Sequence, residues 1–439
     1  MKILIINYRY FVSGGPERYM FNLIKLLKSK NHTIIPFSIK NIKNSNSKYE
    51  RYFVDPIGDY NEIYFKQHKK NLKNLYKLFT RLFYDFNVRK KLKYIIKITK
   101  PDAAIILHYL RKLSPSILDE LNKNNIPIIV RLSDFALICP QAHFINNNKP
   151  CILCKNGKLL NSVIFSCVQN NKIISVINLA AMYFHKIIKI FNKIDLFIVP
   201  TKFHYNILKE IGFKKEKIVY IPTFVDHTKF YPNNNKKLSN LLYVGRIERI
   251  KGIHILIEAI DIINKNYPKI NYHLNIIVEG NKIYLDEITK LIIEKKLQEN
   301  IKFMGYQNEE KLQKYYSESI VTIIPSIWFE NLPNSLIESF SCGTSVLASN
   351  LGSIPENIIN NFTGMLFEPG NSEDLANKIL FCLKNPKKLI NMGINSKKYA
   401  VKKFSDSHHY NLLLKEILKL NKYKKIKGNY YGMCNYNYI

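Results

Sequence analysis

Apolar residues along this chain fall into short unbroken runs separated by stretches of helical periodicity, and the alternation occurs twice. Lys2–Asn7 is a continuous β-type run, followed by a glycine-containing loop, Ser13-Gly14-Gly15-Pro16. From Glu17 to Lys28 the apolar residues Met20, Phe21, Leu23, Ile24, Leu26 and Leu27 recur at helical spacing and predict an amphipathic helix. Further strands are predicted at Ala103–Leu107, Pro127–Leu132 and Leu196–Val199. Short apolar strands divided by helical stretches imply a parallel sheet covered on both faces.

The pattern restarts after Pro222. Asn240–Val244 predicts a strand, Gly245–Gly252 a loop and Ile253–Ile263 a helix; strands at Leu274–Val278, Lys302–Met304, Val321–Ile324 and Ser345–Ala348 follow. A chain of 439 residues suits two domains of about 200 residues, each with its own core. The expected division is 1–225, then 226–421, with Phe230 to Ser239 as a polar linker and 422–439 as a flexible tail.

Lys66 to Lys100 breaks the rhythm. It carries twelve Lys/Arg against one acid, Asp85, interleaved with Leu72, Leu75, Phe79, Leu82, Phe83 and Phe86 among others. The spacing predicts a basic helix over 66–100 with an apolar face. Such a helix suits an anionic bilayer, at roughly 1 kcal/mol per Lys or Arg near the surface; it equally suits a solvated helix packed on its own domain. The net charge of +34 divides as +22 on residues 1–200 and +12 on the remainder. That sign favours anionic partners, namely nucleic acid, phosphorylated substrates or an acidic membrane face. The whole chain is rich in Lys, Asn and Ile, so compositional bias accounts for part of it.

The first apolar run lacks the length and the small-residue cleavage site of a signal peptide. No stretch reaches the ~20 uninterrupted apolar residues of a membrane-spanning helix; Ile173 to Phe184 is too short and ends in His185-Lys186. The expectation is a cytoplasmic protein, peripheral at the inner face of the cell membrane if the basic helix binds lipid.

The sharpest candidate chemistry lies in Pro325-Ser326-Ile327-Trp328-Phe329-Glu330-Asn331-Leu332-Pro333-Asn334-Ser335-Leu336-Ile337-Glu338, which follows a buried strand and opens a helix. A carboxylate accepts two hydrogen bonds from a vicinal diol, so Glu330 and Glu338 each suit a sugar or a ribose. The helix start between them offers backbone N–H groups and the positive end of a dipole, which favour phosphate. Two diol clamps flanking an anion site fit a nucleotide-diphosphate sugar. The competing reading makes Glu338 exposed helix surface.

Glu330-x7-Glu338, followed by Gly343-Thr344-Ser345-Val346 and Gly352-Ser353-Ile354-Pro355-Glu356, resembles the group 1 (family 4) retaining glycosyltransferases of the GT-B fold. The resemblance extends to Tyr243-Val244-Gly245-Arg246-Ile247 with Lys251-Gly252, and to Thr363-Gly364-Met365-Leu366-Phe367. It also takes in Gly14-Gly15-Pro16-Glu17 and Ile221-Pro222-x3-Asp226, and covers nearly all of the chain except the tail. It implies an α/β architecture of two Rossmann-like domains facing across a cleft. It implies transfer of a sugar from a nucleotide-diphosphate sugar, with retention and without a metal, to a glycan or lipid-linked acceptor in cell-envelope polysaccharide synthesis.

The resemblance also implies roles. Arg246 and Lys251 grip the donor diphosphate, Glu338 the ribose and Glu330 the transferred sugar; Gly15 lets the first loop approach the phosphates. Asn331, Leu332, Asn334 and Ser335 complete the donor site. Many relatives carry His-Asp after the strand corresponding to Ile128–Leu132; here the pair is Ser133-Asp134, which makes Asp134, with His108, the expected catalytic contact from the first domain. The turn Glu279-Gly280-Asn281 and the Thr223-Phe224 pair depart from the common pattern too.

Four of the seven cysteines, Cys139, Cys151, Cys154 and Cys167, cluster in an insertion over 139–167. A structural zinc held by these thiolates and a set of plain free thiols are both compatible with the spacing. Two other readings of the whole chain stay open. A nucleotide-sugar epimerase uses the same fold and needs no acceptor. A basic nucleic-acid-binding protein accounts for the charge but leaves the Glu330/Glu338 arrangement unexplained, so nucleic acid is not among the expected partners.

Overall fold

The predicted alternation resolves into two six-stranded sheets, each parallel throughout. The computed structural model describes residues 1–61, 71–233, 237, 239–280 and 282–434. Residues 66–70 of the expected basic helix, 234–236 and 238 of the linker, Asn281 and residues 435–439 of the tail lie outside the described residues.

The first domain begins with β1 (Lys2–Ile6), α1 (Gly15–Ser29) and β2 (Thr33–Phe37). It continues through α2 (Leu72–Phe83), α3 (Phe86–Thr99), β3 (Ala103–Ile106), α4 (Ser116–Lys123) and β4 (Ile128–Arg131). A small hairpin, β5 (Ile145–Asn146) and β6 (Lys149–Pro150), leads into α5 (Asn161–Ile164) and α6 (Lys172–Ile187). Then come β7 (Leu196–Val199), α7 (Lys202–Glu210) and β8 (Ile218–Tyr220). The sheet order is β2-β1-β3-β4-β7-β8. Its strands are apolar because both faces are covered: Ile3 and Ile5 enter one core cluster, Leu4 and Ile6 the other.

The second domain contains β9 (Asn240–Ile247), α8 (Ile253–Asn266), β10 (His273–Gly280), α9 (Lys282–Glu294) and β11 (Ile301–Phe303). These are followed by α10 (Glu309–Glu318), β12 (Val321–Ile324), α11 (Asn334–Ser341), β13 (Ser345–Ser349) and β14 (Gly364–Phe367). The helices α12 (Ser372–Lys384), α13 (Pro386–Lys403) and α14 (Asp406–Cys434) close the chain. The sheet order is β11-β10-β9-β12-β13-β14. Two Rossmann-like domains facing one another form the GT-B arrangement.

The structure departs from the sequence reading at four points. β9 continues through Ile247 instead of ending at Val244, because β10 runs beside it to Gly280 and pairs that residue with Ile247. The stretch 66–100 is not one helix: it breaks at Tyr84–Asp85, where the Asp85 carboxylate caps α3 by accepting from the backbone N–H of Asn87 and Val88 at 2.8 and 3.1 Å. The chain past Lys422 is helical to Cys434 rather than loose. Within the same helix Leu413 and Ile417, expected in the second domain, are buried in the first domain's core, and Lys424 Nζ lies 2.7 Å from Asp195 Oδ2. Among the described residues no helix is long and apolar enough to cross a membrane.

Candidate active site

In the second sheet the strand order reverses between β9 and β12, and open α/β sheets bind ligands beyond the carboxyl ends of strands at such a point. β9 delivers Arg246 there, and β12 delivers Pro325 and Ser326. A single 3₁₀ turn, Arg249–Lys251, carries the next cation and ends on Gly252 with φ of 70°. A Cβ on Gly252 would lie 1.8 Å from the Pro325 carbonyl oxygen, so only glycine lets the turn seat against the loop after β12. The backbone N–H of Ile327 donates to the Ile250 carbonyl at 2.9 Å and fixes the same junction.

Lys251 consequently reaches Glu330. Its Nζ lies 2.6 Å from Oε1, and Ser326 Oγ donates to the same oxygen at 2.7 Å. Lys251 Nζ also stands 5.1 Å from the centroid of the Trp328 ring. Burial pushes the Glu330 carboxyl up, but the Lys251 cation and the Ser326 hydroxyl outweigh it and hold the group below its ordinary value. The carboxylate is therefore charged, oriented and shielded from water. Arg246, half-exposed, pairs with Glu248 at 2.8 Å.

Glu338 is 4% exposed, which excludes the exposed-surface alternative. Its Oε1 accepts from Arg18 Nη1 at 2.9 Å and its Oε2 from the Tyr316 hydroxyl at 3.0 Å. Burial, and after it the charge of Glu338, raises the Tyr316 phenol well above its ordinary value, so it stays a donor. At the start of α11, Asn334 faces Gly15 of the first domain: a Cβ on Gly15 would sit 3.4 Å from Asn334 Nδ2. Asn331 serves as a strut between the domains, donating from Nδ2 to the Leu132 carbonyl at 3.0 Å. Glu356, in the Gly352–Glu356 motif, accepts from the backbone N–H of Lys202 and Phe203 at the start of α7, at 2.9 and 2.8 Å.

From the first domain, His108 Nε2 lies 3.4 Å from Asp134 Oδ2, and the Ala136 N–H donates to Asp134 Oδ1 at 2.9 Å. Burial alone would lower His108; the Asp134 carboxylate raises it above its ordinary value. Burial would likewise raise Asp134, but His108 and the Ala136 amide hold it well below the usual carboxylate range. Ser133 is engaged by Arg131 Nη1 at 2.8 Å.

These groups share one cleft of ≈ 1020 Å³ between the domains. Every residue expected at the donor and catalytic sites lines it: Gly15, His108, Asp134, Arg246, Lys251, Glu330, Asn331, Leu332, Asn334, Ser335 and Glu338. The cysteines do not. Cys139, Cys151, Cys154 and Cys167 are free thiols close enough to interact, and burial followed by the other three pushes Cys154 up to about 12. Among the described residues no group of three or more His, Cys, Asp or Glu side chains is placed to hold a metal ion.

The cleft also holds residues the sequence reading passed over, chiefly Arg18, His143, Arg9, Arg111 and Lys112. Burial and the neighbouring cations Arg9, Arg111 and Arg81 push the Lys112 ammonium down to about 8. Arg18 directly follows the quoted Gly14–Glu17 motif, and that adjacency was the available signal.

Residues 225–399 match the family model described as glycosyl transferases group 1. Among curated relatives, an uncharacterized 41.2 kDa protein in a cps region of Klebsiella pneumoniae is 30% identical over 196 residues, 42% of this chain and 50% of that protein. The amylovoran biosynthesis glycosyltransferase AmsK of Erwinia amylovora is 26% identical over 200 residues, 43% of this chain and 47% of that one. The chain thus spans about half the length of these relatives. Among solved structures, the sucrose-phosphate synthase of Thermosynechococcus elongatus superposes with a TM-score of 0.70 at 18% identity, covering 95% of this chain and 99% of that one. The Anabaena HepE protein in complex with UDP-glucose gives 0.60 at 16% identity, covering 98% and 99%.

Proposed function

We propose, from the match of residues 225–399 to the glycosyl transferases group 1 model, that this chain moves a sugar from a nucleotide-diphosphate sugar to a glycan or lipid-linked acceptor, with retention, in the synthesis of a cell-surface polysaccharide. The observation that carries the reading is the Lys251–Glu330 pair, 2.6 Å apart in the cleft that Arg246 also lines, with Glu330 on the same loop-to-helix segment as Glu338. Two cations suit a diphosphate, and two buried carboxylates suit the hydroxyl pairs on either side of it.

In this reading Glu338 takes the ribose and Glu330 the transferred sugar. The bond between the anomeric carbon and the diphosphate oxygen breaks, and the acceptor oxygen bonds to that carbon from the same face. The acceptor proton passes to the departing phosphate oxygen. Arg246 and Lys251 stabilise the charge that develops there, and because they are already in place they need no reorganisation and no metal. Asp134, oriented by His108, meets the sugar from the first domain. Arg9, Arg111 and Lys112 on that wall favour a phosphate-bearing acceptor, such as a lipid-linked one.

The cps-region and amylovoran relatives support the polysaccharide assignment, and the HepE complex makes UDP-sugars the first donors to test. The test is a panel of nucleotide sugars scored by thermal shift, since a ligand bound only by the folded state raises its melting temperature. The hit is then incubated with and without acceptor extract. A donor-dependent shift and an acceptor-dependent product are expected. Isomerised sugar without acceptor would replace the reading with an epimerase, and no shift with any donor would overturn it.

A further inference from the structure

On two neighbouring helices of the first domain the apolar side chains face solvent and the polar ones face the protein. In α6 the exposed positions include Ile173, Val176, Ile177, Tyr183 and Ile187, between 39% and 76% accessible and spaced along a single helical face. The buried face carries Ser175, Asn178 and His185 beside Leu179 and Ala181. In α2 the exposed positions include Leu72, Leu75, Tyr76 and Phe79, between 50% and 87% accessible, while Asn74 and Arg81 are buried. An ordinary surface helix is arranged the other way round.

The inversion is fixed by hydrogen bonds. Asn178 Nδ2 donates to the Pro140 carbonyl at 2.9 Å, and His185 Nε2 lies 2.9 Å from the Phe83 carbonyl oxygen. Arg81 donates to the carbonyls of Lys112 and Asp55. The helices meet through the Phe83 and Phe184 rings, 5.7 Å apart, so the two apolar faces adjoin. Beyond α6, α5 packs against it and adds exposed Leu160, Ile164 and Phe165. A contiguous apolar face of this extent marks an interaction surface.

Its charge identifies the partner. Residues 135–194 contain seven lysines and no Asp or Glu, and α2 carries Lys73, Lys77 and Arg81 without an acid. Lys73, Lys172, Lys186 and Lys189 are exposed around the apolar face. We propose that this face docks on an anionic lipid bilayer, with the apolar side chains in the headgroup–acyl boundary and the lysines against lipid phosphates. The Pro140 carbonyl that holds α6 also accepts from Arg111 Nη2 at 2.5 Å and precedes the cleft-lining Gln141, Ala142 and His143. The docked surface therefore borders the first-domain wall of the cleft. The docking does not depend on the proposed chemistry.

The full chain is tested by co-sedimentation with vesicles of phosphatidylglycerol and phosphatidylcholine, and with phosphatidylcholine alone. Binding to the anionic vesicles is expected, at least tenfold tighter than to the neutral ones and weakened by salt. The Phe79→Glu/Ile177→Glu double variant is expected to lose at least tenfold with an unchanged melting temperature. If it folds poorly, Tyr76→Ser with Ile173→Ser takes its place. Wild-type protein that stays in the supernatant overturns the proposal, and so does a folded variant that binds as wild type does. A wild-type dimer that the variant dissociates, without vesicle binding, assigns the face to a second copy of the chain and overturns it as well.

Discussion

Arg18 Nη1 lies 2.9 Å from Glu338 Oε1, joining the first helix of one domain to a carboxylate of the other. With the Tyr316 hydroxyl on Oε2, both oxygens expected to meet a ribose are engaged before any donor arrives. A donor that uses Glu338 competes with Arg18. Arg18→Ala is expected to tighten UDP binding roughly threefold to tenfold, equivalent to about 0.7–1.4 kcal/mol. The same change lowers stability, because leaving a buried carboxylate short of a partner costs about 1–3 kcal/mol. Calorimetric titration with UDP checks this; weaker binding would mean that Arg18 itself holds the donor.

Lys251→Ala removes a cation from the proposed diphosphate site and leaves the Glu330 carboxylate without its ion-pair partner. A loss of kcat/KM of about 100-fold or more is expected, the scale of deleting one preorganised charge-stabilising group. Lys251→Arg keeps the charge and is expected to recover part of it. Steady-state kinetics beside melting curves separates the roles: a purely structural lysine would lower stability and spare turnover.

The His108–Asp134 pair carries a pH signature. His108 is raised from an ordinary 6.5, so its contribution to stability is full below that value and lost as pH climbs through the folded-state pKa. Asp134 is depressed from 3.8, so its contribution is full above that value and lost as pH falls through its own folded-state pKa. The pair is therefore strongest between the two ordinary values. Asp134→Asn is expected to lower the melting temperature more at about pH 5.5 than at about pH 9. An equal effect at both pH values would show that the pair is not charged.

Gly252→Ala places a Cβ against the Pro325 carbonyl at a positive φ. The expected cost is about 2–4 kcal/mol from strain and overpacking, read from urea denaturation. Turnover should fall further than stability explains, because the displaced turn carries Lys251. A silent substitution would show that the turn tolerates movement.

Much of the fold was legible in the sequence because a two-sided parallel sheet demands unbroken apolar strands, and runs such as Ile3–Ile6 or Val321–Ile324 are too short for a buried helix and too apolar for a surface loop. The residues proposed for the donor in the second domain were legible for a different reason: they sit on one loop-to-helix segment and one strand-to-turn segment, so spacing preserves their relation. Arg18 was not, since its partner is 320 positions away. Nor were the faces of α2 and α6. Periodicity reports that a helix has two faces without saying which one the protein covers, and here hydrogen bonds from Asn178 and Arg81 decided it.

Helix α14 returns to the first domain, where Leu413 and Ile417 join Ile3 and Ile5 in one core, and His409 Nδ1 lies 2.7 Å from the Pro222 carbonyl oxygen. Among the described residues, the clusters of the second domain draw on nothing beyond Phe404. The first domain's interior thus includes side chains from a segment that follows the second domain in sequence, so its core draws on both sides of that domain. Truncation just before Leu413 would take two core side chains from the first domain and none from the described clusters of the second.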